Sequence, residues 1–289
     1  MLNPNAPGCS TRSRAGRYGR SRSAWHSTGP RRPRQPLPVR LGAIAWYGRG
    51  LGLLAEGGAP AGDTEPIALL LDLTGNGHHA VQETEALRPV LDADALNGYP
   101  AIVYNGSTQY SALPRMAGAF ADGYTVLAVC RFSDGRTGST QRPWGAGVVS
   151  PAAGYVEMTI NATGGTPLAM MRPGTTRSAT FGTGLLPDGL TNWHMFATVA
   201  TPPPGGSIVS YLDGSPTPVQ TTPTVEGDEW STPTADLESL LLGATRLNAG
   251  ISGFSPLHLV EWLYFPRPLL AHELAALHEF VGATYDSGG

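Results

Sequence analysis

Short apolar runs separated by turn residues dominate the chain from about Leu41 onward. "AIVYNGSTQYSAL" (101–113) predicts a strand, an Asn-Gly turn and a second strand. "YTVLAVCRF" (124–132) is apolar at both odd and even positions, the pattern of a strand covered on both faces, and it stops at Asp134-Gly135. "YVEMTI" (155–160) reads as a further strand, and "HMFATVAT" (194–201), "PPPGG" and "SIVSYLDG" (207–214) read as a hairpin. "SLLLGAT" (239–245) and "LHLVEWLYF" (257–265) close the series. Strands at this spacing, without helical periodicity between them, predict an all-β antiparallel sandwich or jelly roll. Trp193 and Trp262 fall within strand patterns and are expected in the core.

One helix stands out, over about 268–283. In "LLAHELAALHEFVGATY", Leu270, Leu274, Leu277 and Val281 form one stripe, with His272, Glu273, His278 and Glu279 off it. It is expected to dock on the sandwich as a terminal strap.

Residues 1–40 follow neither pattern. They hold nine of the 19 basic residues, all arginine, and no Asp or Glu, so an arm of +9 precedes a body of −12. Polar and broken by proline, the arm cannot alone bury enough surface to offset the entropy of ordering. It reads as a solvated tail, as a nucleic-acid-binding arm, or as a segment lying across neighbouring subunits of an assembly. The last is preferred, with Arg12, Arg14, Arg17, Arg20, Arg22, Arg31, Arg32 and Arg34 as charged contacts and Tyr18 and Trp25 as apolar anchors. The domain organisation is therefore an arm over 1–40 and a sandwich over 41–289.

Composition agrees with many turns and short strands: 38 glycines and 26 prolines, with only 14% charged residues. No segment approaches the ~18 apolar residues of a membrane helix. The arginine-rich start has no apolar h-region, so a cleaved secretory signal is not expected. Cys9 and Cys130 lack metal spacing, and Cys130 reads as a buried thiol.

The stretch "DLTGNGHHAVQ" (72–82) invites a chemical reading that its details do not support. It lacks a P-loop lysine and a helix after it, so it is no phosphate cradle. His78 and His79 are adjacent on an extended segment and point apart, a poor metal pair. Gly75 and Gly77 suit positive φ, and Asp72 or Thr74 can bond back to the backbone, so a structural turn is expected.

Taken in order, Trp46, "DLTGNGHHAVQ", "RPVLDADALNGYPAIVYNGSTQY", "YTVLAVCRF", "NWHMFATV", "SYLDG", "LLLGAT" and "EWLYFPRPLLAHELAALHEFVGATY" resemble the laminin-G-like jelly roll of the concanavalin A-like lectin superfamily. More narrowly they resemble its bacterial and phage branch, over about residues 44–286. The resemblance implies a sandwich used for binding or assembly. Its glycosidase branch carries a Glu-x-Asp-x-x-Glu strand that is missing here. Glu157 has only Tyr155 and Thr159 as same-face neighbours, and Glu261 reads as a buried or half-buried acceptor. No GxSxG or HExxH motif occurs, so no enzyme is expected and no catalytic residue is assigned. The family sometimes holds Ca2+; Asp92, Asp94, Asp122 and Asp134 offer carboxylates, but the metal stays unassigned.

Trp144 in "TQRPWGAG" and Trp230 in "EGDEWSTP" are expected in Gly/Pro-rich loops, as candidates for stacking on sugar rings, with Tyr110 and Tyr155 as further candidates. The alternative is that these rings lie on the domain's own surface or in an interface. The reading as a whole is a bacteriophage virion protein: minor tail protein, head fibre or decoration protein. It would be present in multiple copies, docked by its arm to capsid, portal or tail proteins, and directed at host-surface polysaccharide. A cement protein without sugar binding and a carbohydrate-active module are the alternatives.

Overall fold

A computed structural model of the chain describes residues 35–116, 120, 122–133, 140–147, 154–161, 166–173, 191–202, 205–225, 239–247 and 250–285. The chain falls into two units, Met1–Arg34 and Gln35–Gly289. All the arm residues proposed for docking lie outside the described residues.

The second unit opens with α1 (Leu37–Arg40), β1 (Ala45–Gly48), β2 (Leu53–Leu54), β3 (Leu69–Leu70), β4 (Ala80–Val81), β5 (Val90–Leu96), β6 (Tyr99–Val103) and β7 (Ser111–Ala112). Longer strands come next: β8 (Tyr124–Phe132), β9 (Thr140–Gly147), β10 (Gly154–Asn161), β11 (Thr166–Pro173), β12 (His194–Ala200), β13 (Gly206–Leu212) and β14 (Gln220–Val225). Then come β15 (Ser239–Leu242), β16 (Thr245–Leu247), β17 (Gly250–Ser252), β18 (Leu257–Phe265) and the helix α2 (Ala271–Tyr285).

Two large antiparallel sheets result. The first runs β14-β13-β12-β8-β18-β6-β5, with β1 and β6 dividing one edge of β18 between them. The second runs β11-β10-β9-β15-β7-β4-β3-β2, and β16 and β17 form a separate ribbon. This is the antiparallel β-sandwich expected from the spacing of the strands. "AIVYNGSTQYSAL" does not fold back on itself: Asn105 Oδ1 accepts the amides of Ser107, Thr108 and Gln109, and the turn carries the chain from the first sheet to the second.

The first sheet is buried on both faces, as the unbroken apolar runs require. From β8, Tyr124, Val126, Ala128, Cys130 and Phe132 point between the sheets, while Leu127 and Val129 point outward beneath α2. α2 closes that outer face with Leu274, Leu277, Val281 and Tyr285. The stripe begins one turn later than the spacing suggested. Leu270 precedes the helix and is 59% exposed, and His278 is buried in place of a purely apolar contact. The reason is local: Glu273, in the first turn, accepts the Leu270 amide at 2.9 Å, half of a capping box that fixes the helix start. The same carboxylate takes a bidentate bond from Arg267 at 2.7 and 2.8 Å, which holds its pKa down to about 2. Arg267 also donates to the Leu41 carbonyl, tying the helix start to the segment before β1.

In β18 the register with β8 slips between Leu259 and Glu261. A strand without this bulge would send residues 257, 259 and 261 to one face. The extra residue instead puts Leu257, Leu259, Trp262 and Tyr264 between the sheets, and Val260, Leu263 and Phe265 beneath the helix. Glu261 goes with the second set and is fully buried there.

Trp144, expected as a loop ring for stacking on sugar, belongs to β9 and is only 2% exposed. Its ring meets Tyr124 and Trp262 edge-on, with centroids 6.3 and 6.5 Å away, between the sheets. The neighbouring Pro143, which suggested a loop, sits where the β9–β10 ladder shifts register, a position that needs no amide donor. Trp144→Ala is therefore expected to lower stability by about 3–5 kcal/mol in chemical denaturation, as for other buried tryptophans. An unchanged unfolding midpoint would show that the ring is not part of the core.

Candidate functional site

Three segments converge at the outer face of the first sheet beside α2. The first is the β5–β6 hairpin, whose two-residue turn Asn97-Gly98 has positive φ at both positions (50° and 82°). The second is Trp193–Met195 at the start of β12. The third is the Asp213-Gly214 turn after β13, with φ of 50° and 70°. At Gly214 a Cβ would stand 3.2 Å from Met195 Cε and 3.7 Å from His278 Cβ, so the missing side chain lets the turn lie against the helix.

The space between these segments and α2 is a groove of about 730 Å3. Trp193 and Tyr211 contribute aromatic walls, and Leu274, Val281 and Tyr285 contribute the helix side. The polar groups are few and placed by hydrogen bonds. Asp213 accepts the Met195 amide at 2.9 Å with one oxygen and faces His194 Nδ1 at 3.0 Å with the other. Asn97 donates its Nδ2 to the Tyr285 carbonyl at 2.6 Å, joining the hairpin to the last turn of α2. His278, 6% exposed, has a buried Nε2 with no hydrogen-bond partner among the described residues. Burial lowers its pKa, against a smaller upward pull from the Gly214 backbone.

The back of Trp193 is held from outside the groove. Arg131 lies over its ring at 4.8 Å, and His258 meets it edge-on at 6.3 Å. Expected in the core, Trp193 is half-buried instead, because it precedes β12 and spreads over the sheet's outer face. His258 also bonds Ser133 Oγ at 3.0 Å and stands 3.7 Å from Asp92. Serine, imidazole and carboxylate in a row suggest a nucleophilic triad, but Nδ1 is beyond hydrogen-bond reach of Asp92 and Ser133 Oγ also approaches the Pro256 carbonyl. The His258 pKa is lowered, first by burial and then by Arg131.

The floor beside the groove is set by Glu261. Trp46 Nε1 donates to it at 2.7 Å, the Tyr285 hydroxyl donates to its other oxygen, and Arg49 Nε stands 3.6 Å away. This is the acceptor role expected of Glu261, and it is not a catalytic arrangement. Arg49 also lies 4.3 Å over Phe280 and donates to Thr284 Oγ1 at 2.8 Å, so the cluster clamps the end of α2 onto β1 and β18.

The remaining sequence candidates lie elsewhere. Trp230 and Asp134 fall outside the described residues. Tyr110 is half-buried before β7 and does not border the groove, and Tyr155 lies on β10 in the second sheet. Among the described residues no three His, Cys, Asp or Glu side chains converge as metal ligands. "DLTGNGHHAVQ" is the structural turn expected. Asp72 accepts the amides of Trp46, Thr74 and His78, and Gly75 and Gly77 have φ of 83° and 82°. The two imidazoles diverge, His78 to the Ile44 carbonyl and His79 to the Asp72 amide.

No family model matches the chain, and no curated protein matches it. Solved structures do. The type G botulinum neurotoxin receptor-binding domain is similar with a TM-score of 0.55 at 11% identity, over 83% of this chain and 51% of that one. The receptor-binding domain of the C/D mosaic botulinum serotype gives 0.57 at 12%, over 82% and 51%. Trypanosoma rangeli sialidase, solved with sialic acid, gives 0.56 at 15%, over 86% of this chain and 34% of that one. The likeness is one of fold. This chain is an antiparallel β-sandwich that spans about half the toxin domains and a third of the sialidase.

Tyr285→Phe tests the clamp. Burial raises the Glu261 carboxyl pKa, and the Tyr285, Arg49 and Trp46 contacts only partly offset this. A raised carboxyl favours the fold at acid pH and loses that contribution as pH rises through its folded value. Removing the hydroxyl raises that value further. Stability should fall by about 1–3 kcal/mol, and by more at pH 8 than at pH 5. A loss that is larger at pH 5 would contradict the clamp.

Proposed function

We propose that this protein is a non-catalytic, glycan-binding sandwich carried on a bacteriophage particle, as a minor tail, head-fibre or decoration protein of the laminin-G-like branch. The observation that carries the binding role is the groove beside α2. It is concave and mostly apolar, with two aromatic side chains on its walls and a few fixed polar groups. Sugar rings present apolar C–H faces to aromatic rings and hydroxyls to polar groups, and the groove offers both. Trp193 takes over the stacking role expected of Trp144.

Binding is favoured over hydrolysis because the groove does not present a free pair of carboxylates. Both oxygens of Asp213 are engaged with Met195 and His194, leaving Glu279 at the rim. The toxin domains of similar fold are receptor-binding domains and the similar sialidase was solved with sialic acid, which lends support to a recognition role. The virion role rests on the acid-free, arginine-rich residues 1–40 and on the phage-branch resemblance. In this reading the arm docks to capsid, portal or tail proteins, and many copies turn weak single-site contacts into avidity for host polysaccharide.

The test uses particles complemented with variants. Trp193→Ala should still enter particles and should reduce their adsorption to host cells, with a stability loss of no more than about 1 kcal/mol. Deletion of residues 1–34 should leave a folded sandwich that no longer enters particles. Normal adsorption by the first variant would overturn the groove's role, and normal incorporation of the second would overturn the arm's.

A further inference from the structure

The chemistry of the groove narrows the ligand class, on the footing that the groove binds saccharide. Asp213 and Glu279 are the charged side chains on its lining, and among the described residues no arginine borders it. The Asp213 side chain is half exposed at the surface of the groove. Asn97 spends one Nδ2 hydrogen on the Tyr285 carbonyl and carries no charge.

Two carboxylates beside the electron-rich faces of Trp193 and Tyr211, with no arginine on the lining to offset them, favour a ligand that carries positive charge.

We infer that the groove selects saccharides bearing a free, protonated amine, such as de-N-acetylated hexosamine polymers, over N-acetylated and carboxylated ones. The sugar face would lie on Trp193, and the ammonium would sit on the acidic side of the groove that Asp213 and Glu279 supply. Acetylation removes the charge. A sugar carboxylate would meet two carboxylates with no basic side chain to offset them.

Calorimetric titration of the full chain at about pH 6.5 and roughly 150 mM salt tests this with three probes: a β-1,4-linked glucosamine tetrasaccharide, its fully N-acetylated counterpart and a sialylated tetrasaccharide. An amine with a pKa near that of an α-amino group, about 7.7–8.0, is protonated under these conditions. The expected result is binding of the glucosamine probe about tenfold tighter than the N-acetylated one, and no measurable binding of the sialylated probe. Glu279→Gln, an exposed and structurally mild change, should narrow the preference several-fold at unchanged melting temperature. Trp193→Ala should weaken both uncharged and amine probes, which separates groove binding from general attraction of a polyamine to an acidic surface. Equal or tighter binding of the N-acetylated or sialylated probe would overturn the amine inference and leave the glycan reading standing. Failure of all three probes to bind would overturn both.

Discussion

A single buried carboxylate determines how the outer layer of this sandwich is put together. Glu261 sits on the central strand β18, fully enclosed, where an unpaired charge would be prohibitive. It is tolerated because Trp46 from β1 and Tyr285 from the end of α2 donate to it, and Arg49 from the segment after β1 brings a positive charge to 3.6 Å. A buried ionic cluster is weak evidence for net stability, since its desolvation offsets much of its attraction. What it supplies is orientation. Apolar contacts alone would let α2 slide along the sheet, whereas the Glu261–Tyr285 bond sets its position at one end and the Arg267–Glu273 bridge sets it at the other.

The groove is a consequence of that placement. α2 covers the outer face over β8 and β18 and leaves open the strip beside β12 and β13. Two tight turns with positive φ, Asn97-Gly98 and Asp213-Gly214, wall the strip, and each is tied back by a hydrogen bond, Asn97 to Tyr285 and Asp213 to Met195. The same tyrosine thus closes the clamp through its hydroxyl and fixes the groove wall through its carbonyl. Recognition and helix docking share one residue, so a change in one should be felt in the other.

Much of this was legible in the sequence. The double-sided apolar run of β8 announced a sheet covered on both faces, and the Leu274–Leu277–Val281 spacing announced its cover. The Asp72 turn could be told from a chemical site by its glycines and by the extended segment after Gly77, where a phosphate cradle would need a helix. Three features could not be read. The bulge at Val260 and Glu261 leaves no mark in a strand that is apolar on both faces, so the direction of Glu261 was hidden. Pro143 and the glycines around Trp144 mimic a loop, although they mark a ladder irregularity inside a strand. Trp193 lies in an apolar run next to β12, and only the turn at Asp213, distant in sequence, makes it a groove wall. Each miss concerns a contact between segments far apart in the chain, which periodicity and local turn chemistry do not report.

Amide hydrogen exchange on Glu261→Ala, compared with the unaltered protein, tests the dependence of the outer layer on this carboxylate most directly. The substitution strands the Trp46 and Tyr285 donors and leaves the Arg49 charge without its carboxylate beneath α2, while leaving the contacts between the sheets in place. Protection should be lost along α2 and at the Asn97 and Asp213 turns, and kept in β8, β9 and β15. Unchanged protection along α2, or an even loss across both sheets, would contradict the organising role of Glu261.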